Sequence, residues 1–139
     1  MLRPTLIRAA IVLFLAVTAS FGQSPTDGLV EATKNWLKNM SAGSRAELLA
    51  STDDRFIATT PAGDVVVRER LIPADTRQSV QQLPPMELDG PLARAIGETG
   101  IVMSRLKPPA GPALNATFVF VRQQSAWKLA AIHLSPVGR

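Results

Sequence analysis

An uninterrupted apolar run stands near the start of the chain, between a basic beginning and a stretch of small residues. Two arginines precede the run, residues 9–17 are all apolar, and residues 18–23 are mostly small. This order is typical of a secretory signal peptide, and its uncharged stretch is short for a hydrocarbon core of about 30 Å. We therefore expect a signal peptide over residues 1–22, cleaved after Ala19 or Gly22, with an uncleaved N-terminal anchor as the alternative.

The spacing of hydrophobic residues then becomes that of an amphipathic helix. Ser24 and Pro25 suit the N-cap and the first position of a helix, and Gly43 suits its end. The buried stripe is expected to comprise Leu29, Ala32, Thr33, Trp36, Leu37 and Met40. Ser44 and Glu47 form a capping-box pair, so the sequence predicts that a second, short helix follows.

The rest of the pattern has the period of β-strands. The predicted strands cover residues 55–60, 65–67, 86–96, 101–106, 115–122 and 127–134. A helix over residues 68–77 is expected between the second and third strands, with Pro73 near its start or bending it. Gly90 and Pro91 predict a bulge in the third strand, because proline cannot donate to a β-ladder. Helices followed by a run of antiparallel strands make the fold class α+β.

The last predicted strand is apolar on both of its alternations. If the strand is regular, one face carries Trp127, Leu129, Ala131, His133 and Ser135. The opposite face then carries Ala130, Ile132 and Leu134. Both faces need to be covered, and helices can cover one of them. A second copy of the chain is the simplest cover for the other, so we expect a homodimer through the outer sheet face.

Composition and charge narrow the chemistry. The 139 residues are 46% hydrophobic and 19% charged, with one histidine and no cysteine. These values predict one globular domain over residues 23–139 and exclude disulfide staples and thiolate metal sites. No metal and no cofactor is expected, because metal-ligand spacings and glycine-rich phosphate loops do not occur. Without residues 1–22, 13 basic residues face 11 acidic ones, so neither nucleic acid nor, after cleavage, a membrane is an expected partner.

The C-terminal half resembles the SnoaL-like branch of the nuclear-transport-factor-two-like superfamily. The segments that carry the resemblance are residues 97–102, residues 115–121 and the final motif Trp127-x-Leu129-x-Ala131-x-His133-x-Ser135. Residues 53–56 and 63–65 match the first strand and turn of its large uncharacterised group. The resemblance implies a cone in which a curved antiparallel sheet wraps around the long N-terminal helix, with a pocket at the open end. Relatives commonly dimerise through the outer sheet face.

The resemblance also indicates which side chains are candidates for the pocket. They are Trp36, Met40, Phe56, Arg94, Thr117, Phe118, His133 and Ser135. The four apolar candidates, Trp36, Met40, Phe56 and Phe118, are as typical of a hydrophobic core as of a pocket wall. The bulge is expected to turn Arg94 outward, whereas a regular strand would point it inward, where it would hold an acidic ligand. His133 is either a polar group at the pocket mouth or a half-buried residue that bonds to the backbone or to Ser135.

Three functions remain open at this point. The first is an exported, periplasmic or secreted protein that binds a small, largely apolar molecule. The second is an isomerase, cyclase or dehydratase that uses His133 as its acid or base. The tyrosine of the ketosteroid isomerase oxyanion hole cannot be present, because the chain contains no tyrosine. The third is a non-catalytic dimerisation or interaction module.

Overall fold

The computed structural model describes residues 25–138. The predicted signal peptide and the expected N-cap at Ser24 lie outside the described residues. The helices are α1 (Pro25–Ala42), α2 (Arg45–Ser51) and α3 (Arg68–Leu71). The strands are β1 (Thr52–Thr59), β2 (Val65–Val67), β3 (Glu87–Ile96), β4 (Thr99–Lys107), β5 (Leu114–Gln123) and β6 (Ala126–Pro136). Within this part of the chain, no helix is long and apolar enough to cross a membrane.

The strands form one sheet, and α1 lies across its inner face. The strand order is β2-β1-β6-β5-β4-β3. All neighbours pair antiparallel except β1 and β6, which are parallel. The sheet is therefore mixed, which corrects the expectation of a purely antiparallel one, and the α+β class is confirmed. Helix α1 packs mainly against β3 and β4, and α2 against α1 and β6.

The core lies between the predicted stripe of α1 and the inner face of the sheet. Leu29, Thr33, Trp36, Leu37 and Met40 are all buried, which confirms the stripe. The inner face of the central strands contributes Val102, Leu106, Ala116, Phe118, Phe120, Leu129 and Ile132. Fully buried aromatic side chains each remove a large apolar area from water, so this layer dominates the stability of the fold.

The bulge that the sequence predicts in β3 is present. The pairing with β4 shifts between Asp89 and Leu92, and Gly90 adopts a positive φ of 63°. The Ser104 hydroxyl, opposite the bulge on β4, lies 3.0 Å from the Asp89 carbonyl oxygen, to which it donates. Beyond the bulge the alternation is reversed, so Leu92 and Arg94 point outward.

A second bulge, in β6, is not marked by glycine or proline. Phe120 pairs with Leu129 and Val119 pairs with Ala131, so Ala130 is the extra residue. Leu129 and Ile132 therefore both face the core, at 0% and 7% exposure. The prediction that His133 shares a face with Leu129 is wrong, because the inserted residue reverses the alternation between them.

The two short helices differ from their predictions. The helix expected over residues 68–77 ends at Leu71, because Ile72 precedes Pro73, where helical backbone is disfavoured, and leaves the helix with φ −126° and ψ 82°. Ser44 is the N-cap residue of α2, but its side chain makes no capping hydrogen bond, so the capping box does not form. The first turn is instead closed by the Leu48 N–H, which donates to the Ser44 carbonyl.

Candidate functional site

Four of the eight candidate residues lie inside the cone, where side chains pack against one another. Trp36, Met40, Phe56 and Phe118 are each at most 2% exposed. The ring centroids of Trp36 and Phe56 are 5.9 Å apart, and the Trp36 indole N–H donates to the Thr52 hydroxyl at 2.9 Å. Because their surfaces are covered by other protein atoms, these residues form the core at this place in the fold.

The other four candidates lie on the opposite, outer face of the sheet. His133 pairs across the ladders with Thr59 on one side and Thr117 on the other. Directly paired residues share a face, and this row continues through Met103 to Leu92. Arg94 and Ser135 occupy the rows on either side of it. The structure thus separates these four residues from the interior of the cone.

His133 is exposed at the centre of that face. Among residues 25–138 its imidazole has no hydrogen-bond or ion-pair partner. Its neighbours in the same row carry hydroxyl groups, from Thr59 and Thr117, and no carboxylate. Within one copy of the chain, His133 therefore stands on the exposed surface of the sheet rather than among the buried side chains of the interior.

Exposed apolar side chains lie on the outer face on both sides of His133, together with the exposed Arg94. We define the outer face by its exposed apolar residues Ile57, Val65, Val67, Leu92, Ile96 and Met103, which are 46–68% exposed. Partly buried Ile101, Val119 and Ala131 connect them across the central strands. Contiguous apolar surface of this kind marks an interaction site in soluble proteins. The last strands are apolar on both faces of the sheet. Helix α1 covers the inner face, and within residues 25–138 of a single chain nothing covers the outer face.

A separate groove runs along the other side of α1, where the helix meets the first residues of β3. Its volume is about 550 Å³. The lining consists of Lys34, Leu37, Lys38, Ser41, Ala42, Pro85, Met86, Glu87 and Leu88. The Leu83 N–H, 3.4 Å from the Met40 carbonyl oxygen, donates to it and fixes the segment before β3 against the end of α1. None of the eight candidate residues lines this groove.

The groove is apolar at its floor and charged at its rim. Leu37 is 5% exposed, and Met86 and Leu88 are half-buried. Lys34, Lys38 and Glu87 are exposed around them. Sequence reasoning missed this site because it treated the lysines only as the solvent side of α1. The available signal was the alternation of lysines with apolar residues along one edge of the helical stripe.

Among the described residues, Asp53 is the buried carboxylate, and hydrogen bonds from neighbouring residues hold both of its oxygens. It is 4% exposed and accepts hydrogen bonds from the Arg55 backbone and guanidinium and from the Gln123 amide, the last at 2.6 Å. The Arg55 side chain, followed by the Arg55 backbone N–H, lowers the pKa of Asp53, and the same pair raises the pKa of Arg55. A carboxylate held in this way is a weak base, and its role is to join β1 to the end of β5.

A similar pair occurs outside the core. Arg77 donates to Asp75 at 2.8 Å, which lowers the pKa of Asp75 and raises the pKa of Arg77. This pair joins two residues of the loop between α3 and β3, and because water reaches it, it contributes little to stability. Within residues 25–138, no group of three or more histidine, aspartate or glutamate side chains could hold a metal ion.

Comparison with known proteins identifies the fold. The chain matches no protein-family model and no curated protein sequence. Among solved structures, it resembles an NTF2-like protein from Cytophaga hutchinsonii, with a TM-score of 0.69, 17% identity, and coverage of 80% of this chain and 97% of that one. An S. rosetta CaMKII hub gives a TM-score of 0.66 at 20% identity, over 84% of this chain and 99% of that one.

A third similar structure is a candidate ketosteroid isomerase from Parabacteroides distasonis. Its TM-score is 0.64 at 17% identity, with coverage of 86% of this chain and 92% of that one. At such identities the similarity shows the fold, which is nuclear-transport-factor-two-like. The expectation of that fold is thereby confirmed. The assignment to the SnoaL-like group stays a prediction that rests on the final motif.

Proposed function

We propose that this is an exported, non-catalytic protein of the SnoaL-like group that binds a small, largely apolar molecule. The groove between α1 and β3 carries the proposal. A volume of about 550 Å³ lies within the usual range for ligand sites, and an apolar floor with a few polar groups at the rim is their usual construction. The filled interior of the cone makes this groove the better candidate than the expected pocket at the open end.

The enzyme alternative has less support. His133 lies on the exposed outer face, away from the groove, and has no carboxylate in its row. Asp53 is occupied by Arg55 and Gln123. Binding without turnover requires none of these groups.

Filling the groove tests the proposal. Ser41→Trp places a large side chain in the lining, and Ser79→Trp places the same side chain in a different, polar groove as the matched control. Native mass spectrometry with a panel of small apolar compounds should give adducts with the parent chain and with Ser79→Trp. Adducts should be lost with Ser41→Trp. Equal adduct formation by all three, or none by the parent chain, contradicts the proposal.

Export is supported by the basic, apolar and small-residue order of residues 1–22. The expected product in the exported fraction begins directly after Ala19 or Gly22, and the intact mass identifies which. An exported fraction that retains residues 1–22, or a full-length chain that stays attached to the membrane, would favour the uncleaved anchor instead.

A second function, self-association through the outer face, is supported by its exposed apolar residues. Six large apolar side chains lie uncovered there, and the similarity to a hub structure is in agreement with an assembly role. A homodimer formed through this face would also remove the outward-facing apolar side chains of β6 from water. The two functions use different surfaces, so one chain can have both.

Sedimentation velocity tests the dimer. Leu92→Glu combined with Met103→Glu puts charges on adjacent positions of the outer face, and Leu49→Glu puts one on an exposed leucine of α2 as the control. The parent chain and Leu49→Glu should sediment as dimers, and the double variant as a monomer, because buried unpaired carboxylates are strongly unfavourable. A monomeric parent chain at micromolar concentration refutes the dimer.

A further inference from the structure

We propose that the groove between α1 and β3 selects an anionic amphiphile, such as a medium-chain carboxylate, in preference to a neutral or cationic one. This inference rests on the proposed function, because it assigns a ligand class to the same groove. Its hydrocarbon chain lies on Leu37, Met86 and Leu88, and its anionic head is held at the rim by Lys34 and Lys38.

The positive rim is built by helical geometry. Lys34 and Lys38 are four residues apart on α1, so both ammonium groups emerge on the same side of the helix. Lys34 lies 3.5 Å from Glu31 in a pair that is more than half exposed on both sides, so water competes strongly with that contact. Lys38 has no ion-pair partner among residues 25–138. One unneutralised and one weakly neutralised cation therefore border the groove.

Glu87 is the carboxylate of the lining, and it lies on β3, across the groove from α1. Its neighbour across the ladder, Lys107, pairs instead with Asp89 at 3.2 Å, so Glu87 keeps its negative charge on the β3 side of the groove. The wall formed by α1 contains two lysines and no acidic residue. An anionic head is therefore favoured along that wall, and a cationic head is repelled by it.

The apolar floor determines the other half of the ligand. Leu37 is nearly buried and is fixed by the core, while Met86 and Leu88 extend the apolar surface along the start of β3. A buried methylene group strengthens binding about fourfold. A hydrocarbon chain with a single terminal negative charge can contact both the apolar floor and the lysines of the rim. A small hydrophilic anion can contact only the lysines.

Isothermal titration with three ten-carbon probes tests the charge preference. The probes are decanoate, 1-decanol and decyltrimethylammonium, each below its aggregation concentration. Decanoate should bind about tenfold more tightly than decanol, because each exposed lysine contributes a severalfold gain, and decyltrimethylammonium should bind least. The advantage of decanoate over decanol should shrink in about 0.5 M NaCl, since salt screens exposed charges.

Matched variants locate the effect in the groove. Lys34→Gln with Lys38→Gln should weaken decanoate binding about tenfold and leave decanol unchanged. Lys128→Gln, on β6 and outside the groove, should leave both unchanged. Because Lys34 and Lys38 are exposed, thermal unfolding should be nearly the same for all variants.

Each outcome decides the proposal. Equal affinity for decanoate and decanol overturns the charge preference and leaves the binding function standing. Binding of none of the probes, together with no adducts in the native mass spectra, overturns both. Decanoate binding that survives both Lys34→Gln/Lys38→Gln and Ser41→Trp places the site elsewhere on the molecule and overturns the assignment to this groove.

Discussion

Gly100, at the start of β4, lies where α1 packs directly on the backbone of the sheet. A Cβ atom at this position would stand 2.3 Å from one methyl carbon of Leu29 and 2.9 Å from the other. Leu29 is 0% exposed, so any shift of its methyl groups disturbs the buried side chains packed around it. We therefore predict that Gly100→Ala forces α1 away from the sheet or strains the buried leucine.

The magnitude follows from these distances. Carbon atoms make favourable contacts at about 3.5–4.0 Å, so the added methyl group lies more than about 1 Å too close to Leu29. Overpacking by one methyl group in a closed core costs about 2 kcal/mol of the free energy of unfolding. For a domain of this size that cost lowers the unfolding midpoint by roughly 8 °C.

The assay is chemical denaturation followed by tryptophan fluorescence, at one fixed protein concentration so that self-association does not contribute. Gly28→Ala provides the matched control, because its added Cβ has only the Trp127 indole nitrogen nearby, at 3.9 Å. Replacing glycine by alanine inside a helix should stabilise the chain by about 1 kcal/mol. The two substitutions are chemically the same and are predicted to have opposite signs.

A double-mutant cycle identifies the cause. With Leu29→Ala the colliding atoms are absent, so Gly100→Ala should cost almost nothing in that background, and the coupling should be about 2 kcal/mol. The reasoning is refuted if Gly100→Ala alone changes stability by less than about 0.5 kcal/mol, or if its cost is the same with and without Leu29.

Three further predictions concern other contacts. Asp53→Asn should cost about 2 kcal/mol near pH 7 by urea titration. The folded-state pKa of Asp53 lies below its ordinary value of 3.8, so the stability that the ionised carboxylate contributes is complete above that value and is lost as pH falls through the folded-state pKa. Between pH 5 and pH 2, Asp53→Asn should therefore lose less stability than the parent chain. Parallel plots of stability against pH for the two proteins would contradict this. Gln124 and Ser125 form the β5–β6 turn with positive φ angles of 50° and 65°. Glycine adopts positive φ without strain, so Ser125→Gly should raise stability by about 0.5–1 kcal/mol in calorimetry. A lower unfolding midpoint for the variant counts against this prediction. Trp36→Phe removes the donor to the buried Thr52 hydroxyl and should cost about 1–3 kcal/mol, whereas an unchanged denaturation midpoint disproves a structural role for this bond.

Much of the fold was predictable because its signals are local. The stripe of α1 follows from the helical spacing of its apolar residues, and the β3 bulge follows from the backbone preferences of Gly90 and Pro91. The end of α3 differs from the prediction, which has Pro73 near the helix start or bending the helix, whereas the helix stops before Pro73.

The candidate site was less accessible to prediction for a different reason. The extra residue in β6 is Ala130, which has no preference for bulges, so a regular alternation was assumed and His133 was placed with Leu129. A one-residue shift reverses every later side chain. The groove, in turn, is formed by two segments more than 40 residues apart, the end of α1 and the start of β3, and no local pattern in the sequence brings them together.

The position of β6 also affects how the protein is made. This strand is the last in the sequence, yet it lies inside the sheet with β1 on one side and β5 on the other. A ribosome delivers β1 long before β6, so the emerging chain carries two unpaired strand edges until residues 126–136 have appeared. A chain truncated at residue 125 would consist of two incomplete sheets with no strand to join them. Synthesis of residues 126–136 is therefore the event that allows this sheet to close, and a chain that still lacks them stays open to proteases and to any machinery that handles unfolded polypeptides.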